Sequence, residues 1–95
     1  EIDRLANLGW WVRTSETGRG IAVAAAKLAA CFGFGEAGFM RLEMAIHTEN
    51  KKSIRVAEKL GAAREGVLRN RLYLHGRPYD AVMFSLIPGD MAGRD

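Results

Sequence analysis

Cysteine is nearly absent from this chain. One residue, Cys31, stands among 95, so no internal disulfide framework can form, and a single thiol fits a reducing, cytoplasmic compartment. Proline occurs only at Pro78 and Pro88, which leaves everything before the last quarter free of obligatory helix breaks. No apolar run approaches the roughly 20 residues that cross a bilayer. No signal-peptide pattern stands at Glu1–Asn7, which begins without Met and reads as the middle of a longer pattern. The two histidines, His47 and His75, lie far apart and make no ligand spacing with the lone cysteine, so no metal site is expected. Lysine and arginine total 14 against 11 acidic residues, a net charge of +3, and they form no long basic run. That balance favours anionic ligands weakly and makes neither a nucleic acid nor a membrane surface the expected partner.

What is present is an ordinary globular composition, 48% hydrophobic and 26% charged, in a length that allows one domain with a modest core. Leu8–Arg13, with Trp10 and Trp11, is an aromatic and β-branched run that predicts a strand. Thr14–Arg19 is a polar loop. From Gly20 to about Phe34 the pattern turns helical, with Ile21, Ala24, Ala25, Leu28, Cys31 and Phe32 at the spacing of one face. On that stripe Cys31 is expected to be buried and inert. Phe39–His47 alternates as a strand, with Leu42, Met44 and Ile46 on one side and Arg41, Glu43, Ala45 and His47 on the other. Lys51–Leu60 is a second helix, closed by Gly61, with Ile54, Val56, Ala57 and Leu60 as its apolar stripe. Arg64–Leu74 and Pro78–Ile87 are strands joined at His75-Gly76-Arg77, and Pro88–Asp95 reads as a frayed tail. The expected fold is α/β, with a mixed sheet of about four strands in the order β-α-β-α-β-β.

The chemistry concentrates at Arg13-Thr14-Ser15-Glu16-Thr17-Gly18-Arg19-Gly20-Ile21-Ala22, between a strand and a helix. The first N–H groups of a helix lack intrahelical partners, and the dipole adds positive charge there. Glycines let a ligand approach the backbone and Arg19 adds a cation, so a pyrophosphate suits such a nest; a plain tight turn has the same ingredients. Other phosphate motifs fit less well. The Lys-Ser/Thr that follows the last glycine of a Walker A loop is absent, and Val23 stands where a dinucleotide fingerprint needs a small residue.

At Thr17-Gly18-Arg19-Gly20-Ile21-Ala22 the sequence resembles the Gln/Arg-x-x-Gly-x-Gly/Ala turn of the GCN5-related N-acetyltransferases, with Thr17 in place of Gln or Arg. Asn50-Lys51-Lys52-Ser53-Ile54-Arg55-Val56-Ala57-Glu58-Lys59-Leu60-Gly61-Ala62 resembles the Asn-x-x-Ser-x-x-x-x-Glu-Lys-x-Gly-Phe segment of the ribosomal-protein N-terminal acetyltransferase branch, with Ala62 replacing the aromatic. Glu65-Gly66-Val67-Leu68-Arg69, Gly76, Asp80 and Ser85-Leu86 resemble the hairpin of that branch. The similarity runs from about Leu8 to Leu86. It implies that residues 1–95 form a single, incomplete acetyltransferase domain, the C-terminal half of the fold without its first strands and helices.

The resemblance also implies roles. Acetyl-CoA would be held by backbone at Val12 and Arg13 and by the Gly18, Arg19, Gly20, Ile21 and Ala22 turn, with Asn50 on the pantetheine arm. Ser53 would lie near the thioester and protonate the departing sulfur. By residue type alone Asn50 is a helix N-cap, and Ser53 is a cap or a solvent-facing residue. Glu43 and His47 share a strand face, so the two could meet a common space and either could take a proton from an amine, but Glu43 is better read as paired with Arg41 or Arg69, and His47 as structural or exposed. Arg64, Arg69, Arg71 and Arg77 mark a solvated hairpin or a surface for an acidic protein or RNA. The expected activity is acetyl transfer from acetyl-CoA to an amine, a protein N-terminus in the branch it resembles. The alternatives are a non-catalytic CoA-binding fragment and a basic module docking on ribosome or RNA. A sheet edge at Trp10 and Trp11 left without a neighbour implies a homodimer or a covering N-terminal half.

Overall fold

The computed structural model describes residues 5–7 and 19–91, with side chains from Val23 onward. Its elements are β1 (Leu5–Asn7), α1 (Arg19–Gly35), β2 (Arg41–His47), α2 (Lys51–Lys59), β3 (Ala63–Leu74), β4 (Arg77–Leu86) and the short α3 (Pro88–Met91). The strands form one mixed sheet in the order β1-β2-β4-β3. β1 runs parallel to β2, with Leu5 opposite Arg41, while β4 is antiparallel to both β2 and β3. The α/β class and the strand and helix order are those the sequence implies. The strand expected at Leu8–Arg13, with Trp10 and Trp11, lies outside the described residues. The described strand before α1 is Leu5–Asn7, three residues within the segment expected to precede it.

Alternation along β2 is as expected and divides the core. Leu42, Met44 and Ile46 pack with Val82, Phe84 and Leu86 of β4 beneath Ala26 and Ala30 of α1 and Val56, Ala57 and Leu60 of α2. Both helices therefore cover the same face. Phe84, Met44, Ile46, Leu60, Leu86 and Val82 are the largest fully buried side chains, and each large apolar residue removed from water stabilises the fold by about 1.5–3 kcal/mol. On the opposite face a smaller cluster forms from Ala45, Leu72, Ala81 and Met83.

α1 departs from the expected face. Ala26 and Ala30 are buried and Val23, Ala29 and Phe34 pack against the core, whereas Leu28 is 73% exposed, Phe32 62% exposed, and Ala24 and Cys31 are exposed. Cys31 is therefore not the buried thiol its sequence position suggests. The reason is distance. Alanines and the buried Gly33 let the helix backbone approach the sheet, where Gly33 sits against Phe39 and Leu42. Leu28 and Phe32 are too bulky for that contact and turn outward.

α2 is bounded by chemistry on both ends. The Asn50 Oδ1 accepts from the Ser53 N–H at 3.1 Å, a standard N-cap. At the other end Gly61 has φ 84, and the Gly61 and Ala62 N–H groups donate to the Glu58 and Ala57 carbonyls, a Schellman closure. The β3–β4 connection is tighter than expected. Leu74 pairs with Arg77, so only His75 and Gly76 form the turn, both at positive φ (52 and 75), as a type I′ hairpin requires. The tail is not wholly frayed. Pro88 opens α3, and Asp90 accepts from the Ile87 N–H at 2.9 Å, which caps that single turn.

Candidate active site

A helix that connects two parallel strands runs antiparallel to them. The N-termini of α1 and α2 therefore both lie at the edge of the sheet where β1 and β2 end, which is where open α/β sheets bind ligands. α1 begins at Arg19 and spans 17 residues, about 25 Å of helix. Of the expected phosphate-binding residues, Arg19, Gly20, Ile21 and Ala22 form this first turn. Val12, Arg13 and Gly18 lie outside the described residues. Among the described residues no acidic side chain sits within the first turn of either helix, where the unpaired N–H groups favour an anion. Lys51 and Lys52, both exposed, add cations at the start of α2. The donor set at this edge fits a phosphate-bearing ligand.

Asn50 and Ser53 occupy the first turn of α2 at the same edge. Asn50 is the cap. Ser53 is 4% exposed, so it is neither the cap nor a solvent-facing residue. A buried hydroxyl on the first turn of a helix is unusual by composition, because serine there ordinarily faces water.

His47 ends β2 beside this turn. Its Nδ1 accepts the Glu49 N–H at 3.0 Å, and its ring lies against Tyr79 with centroids 4.6 Å apart. A ring nitrogen engaged as an acceptor makes the structural role of His47 concrete. Glu43 is four residues back along β2, about 13 Å away at the rise of a strand, so the two do not act on one point. Glu43 instead accepts from Arg41 Nε at 2.8 Å.

Arg41 belongs to a network the sequence does not announce. Its terminal nitrogens lie 2.6 and 3.1 Å from the Glu65 carboxylate, and Ser85 Oγ donates to Glu65 Oε2 at 2.6 Å. These hydrogen bonds, Arg41 first and Ser85 second, hold the Glu65 carboxyl at about 2, below its ordinary 4.5. Hydrogen bonding to Glu65 and then Glu43 raises the Arg41 guanidinium further above its usual range. Glu65 reaches this position because it is the extra residue of a β-bulge between Arg64 and Gly66. Gly66 takes φ 143, a conformation side chains resist. The Glu43↔Ser85 register could have indicated half of this network; the bulge could not be read from alternation.

Residues 1–63 match the family model described as "Acetyltransferase (GNAT) domain". The chain belongs to this acetyltransferase family. It is 31% identical over 93 residues to YdaF of Bacillus subtilis (strain 168), covering 98% of this chain and 51% of that protein. It is 35% identical over 65 residues to the spermidine N(1)-acetyltransferase of Escherichia coli (strain K12), covering 68% of this chain and 35% of the enzyme. Among solved structures, Mycobacterium smegmatis RimJ in complex with CoA-disulfide superposes with a TM-score of 0.74 at 28% identity, over 83% of this chain and 38% of that one. The chain thus spans about half the length of the curated relatives it matches.

Proposed function

We propose that this chain provides the acetyl-CoA-binding half of an N-acetyltransferase that acetylates an amine. The observation that carries the reading is the convergence, at one sheet edge, of the Arg19–Gly20 helix start with the Asn50-capped turn that buries Ser53. Acetyl-CoA is the substrate that supplies the activated acetyl group. In this reading the backbone at Val12 and Arg13 holds the pantetheine. Gly18 and the N–H groups of the Arg19–Ala22 turn receive the pyrophosphate, with Arg19 as counter-charge. Asn50 fixes the start of α2 and faces the pantetheine arm.

The reaction is direct transfer: a C–N bond forms between the amine and the acetyl carbon as the C–S bond breaks. The departing sulfur takes a proton from Ser53 Oγ, and the proton the amine gives up restores the Ser53 hydroxyl, so the products are the amide and the free thiol. The names of two relatives, a ribosomal-protein-S5-alanine acetyltransferase from Vibrio fischeri and the spermidine enzyme, favour a protein N-terminus or a polyamine as acceptor. The cytoplasm is the expected compartment. A homodimer, or an N-terminal half that covers the β1 side of the sheet, completes this reading, and light scattering over a dilution series measures it.

Thermal melting with millimolar coenzyme A tests the site. Wild type is expected to gain several degrees, and Gly20→Glu, which puts bulk and negative charge into the anion site, to gain none. Equal shifts, or no shift in wild type, remove the assignment.

A further inference from the structure

The sequence has no basic run, but the fold builds a basic edge. Within Ala63–Asp80 four arginines, Arg64, Arg69, Arg71 and Arg77, stand against two carboxylates, Glu65 and Asp80. This hairpin therefore carries +2 of the chain's net +3. All four arginines are exposed, and among the described residues none forms an ion pair. Both carboxylates are occupied. Glu65 is held by Arg41 and Ser85, and Asp80 Oδ1 accepts the Asn70 N–H at 2.9 Å. Asp80 keeps its charge and offsets one arginine, so the outer strand and its turn carry a net positive charge.

A second feature lies on the same strand. Between the pairs Leu68↔Ala81 and Leu72↔Tyr79, three residues of β3 face Asp80 alone, and Asn70 takes φ 54 to accommodate them. Beside the bulge lies a shallow, open depression of about 720 Å³ bordered by Val67, Leu68, Arg69, Asn70 and Asp80. Val67 and Leu68, consecutive on the strand and so turned to opposite faces of the sheet, border it with exposures of 51% and 41%, and its lining is mainly polar. An amide, a carboxylate and a guanidinium stand around it. A third feature is Tyr73, 74% exposed, two residues beyond Arg71.

We propose that the β3 edge binds single-stranded RNA. The arginines neutralise successive phosphates, an unstacked base enters the hollow with its edge towards Asn70 and Asp80, and a second base stacks on Tyr73. An acidic polypeptide would satisfy the arginines but would leave the exposed Tyr73 without a stacking complement. A duplex would keep its bases stacked and could not fill the hollow.

The test is fluorescence anisotropy of a labelled 12-residue RNA, unstructured and of mixed sequence, titrated with the full chain at 50 and 200 mM KCl. Three to four neutralised phosphates predict an affinity loss of roughly 20- to 50-fold across that salt range. Arg69→Glu with Arg71→Glu should weaken binding more than tenfold, and Arg69→Gln with Arg71→Gln should weaken it less but flatten the salt slope. Tyr73→Ala should weaken binding about five- to a hundredfold with the salt slope unchanged. Arg55→Glu, on the exposed side of α2, should leave binding within twofold. Circular dichroism confirms that each variant is folded. Absence of binding at 100 μM protein, equal affinity for a poly-glutamate peptide of matched charge, or indifference to Tyr73→Ala or to both arginine pairs would each overturn the proposal.

Discussion

Arg41 of β2 grips Glu65 of β3 across the intervening strand β4, with its two terminal nitrogens 2.6 and 3.1 Å from the carboxylate. The third guanidinium nitrogen holds Glu43 at 2.8 Å, and Ser85 of β4 closes the network from below with a 2.6 Å hydrogen bond to Glu65. Three strands are tied through one carboxylate, since Glu65 of β3 meets Arg41 of β2 and Ser85 of β4. The Glu65 carboxyl, at about 2 in the fold, sits below its ordinary 4.5, so between those values the unfolded chain binds more protons. The stabilisation is therefore complete above pH 4.5 and is lost as pH falls towards 2. Thermal melts from pH 6 to 2.5 should show wild type losing more of its Tm than Glu65→Gln. Glu65 is more than a third exposed, so water screens the pair and the difference should be at most about 1 kcal/mol. Parallel curves would mean that the network adds nothing to stability.

The α2 cap gives a second expectation. Asn50→Ala leaves the Ser53 N–H without its side-chain acceptor and should cost about 1 kcal/mol, with a low of 0.5 and a high near 2. Asn50→Asp and Asn50→Ser keep an acceptor oxygen and should restore most of the loss in urea unfolding. If all three variants unfold alike, the cap is not what starts this helix.

Ser53 separates binding from chemistry. If its hydroxyl serves the departing sulfur, Ser53→Ala should lower acetyl-CoA turnover by about 10²-fold or more while coenzyme A affinity, measured by calorimetry, stays within twofold. Ser53→Cys should recover part of the rate, since a thiol can also donate a proton. Parallel losses in rate and affinity would assign Ser53 to packing, which its 4% exposure also permits.

Much of this molecule was legible before any coordinates. β2, α2 and the hairpin follow from alternation, from Asn50 and Gly61 as start and stop signals, and from a turn-forming His75-Gly76. Asn50 and Ser53 were placed together by their spacing. What the sequence concealed has physical causes. The bulges at Glu65 and at Arg69–Arg71 break the two-residue period, so neither the Arg41–Glu65 contact nor the hollow beside Asp80 could be derived from alternation. The buried face of α1 was misjudged because nearly every direction around an alanine-rich helix is apolar. Hydrophobicity pointed to Leu28 and Phe32, while close approach to the sheet selected Ala26, Ala30 and Gly33.

Gly33 permits a direct check on that close approach. It lies within α1, where glycine is about 0.8–1 kcal/mol less favourable than alanine. A Cβ added there would meet Phe39 at 3.5 Å and Leu42 at 3.6 and 3.8 Å, ordinary contact distances. Gly33→Ala should therefore stabilise the fold by roughly 0.5–1 kcal/mol, and Gly33→Leu should destabilise it by overpacking, typically 1–3 kcal/mol. Chemical denaturation of the two variants measures both signs. A destabilising alanine would mean that the helix lies closer to β2 than described.

The orientation of α1 is tested most simply at its outer face. Leu28 is 73% exposed and Phe32 62% exposed, so Leu28→Lys and Phe32→Lys remove little buried surface and should change stability by less than about 0.5 kcal/mol. Leu60, fully buried under the same helix pair, should cost about 2–5 kcal/mol on replacement by alanine. Cys31 gives an independent readout, since it shares the exposed side of the helix. A thiol reagent should modify it in the native protein at a rate close to that in urea. If α1 were turned so that Leu28, Cys31 and Phe32 faced the sheet, the thiol would react only on unfolding and Leu28→Lys would be as damaging as Leu60→Ala. The two arrangements thus differ in the same direction in two measurements that share no assumption, and the small residues Ala26 and Ala30 decide which of them packs.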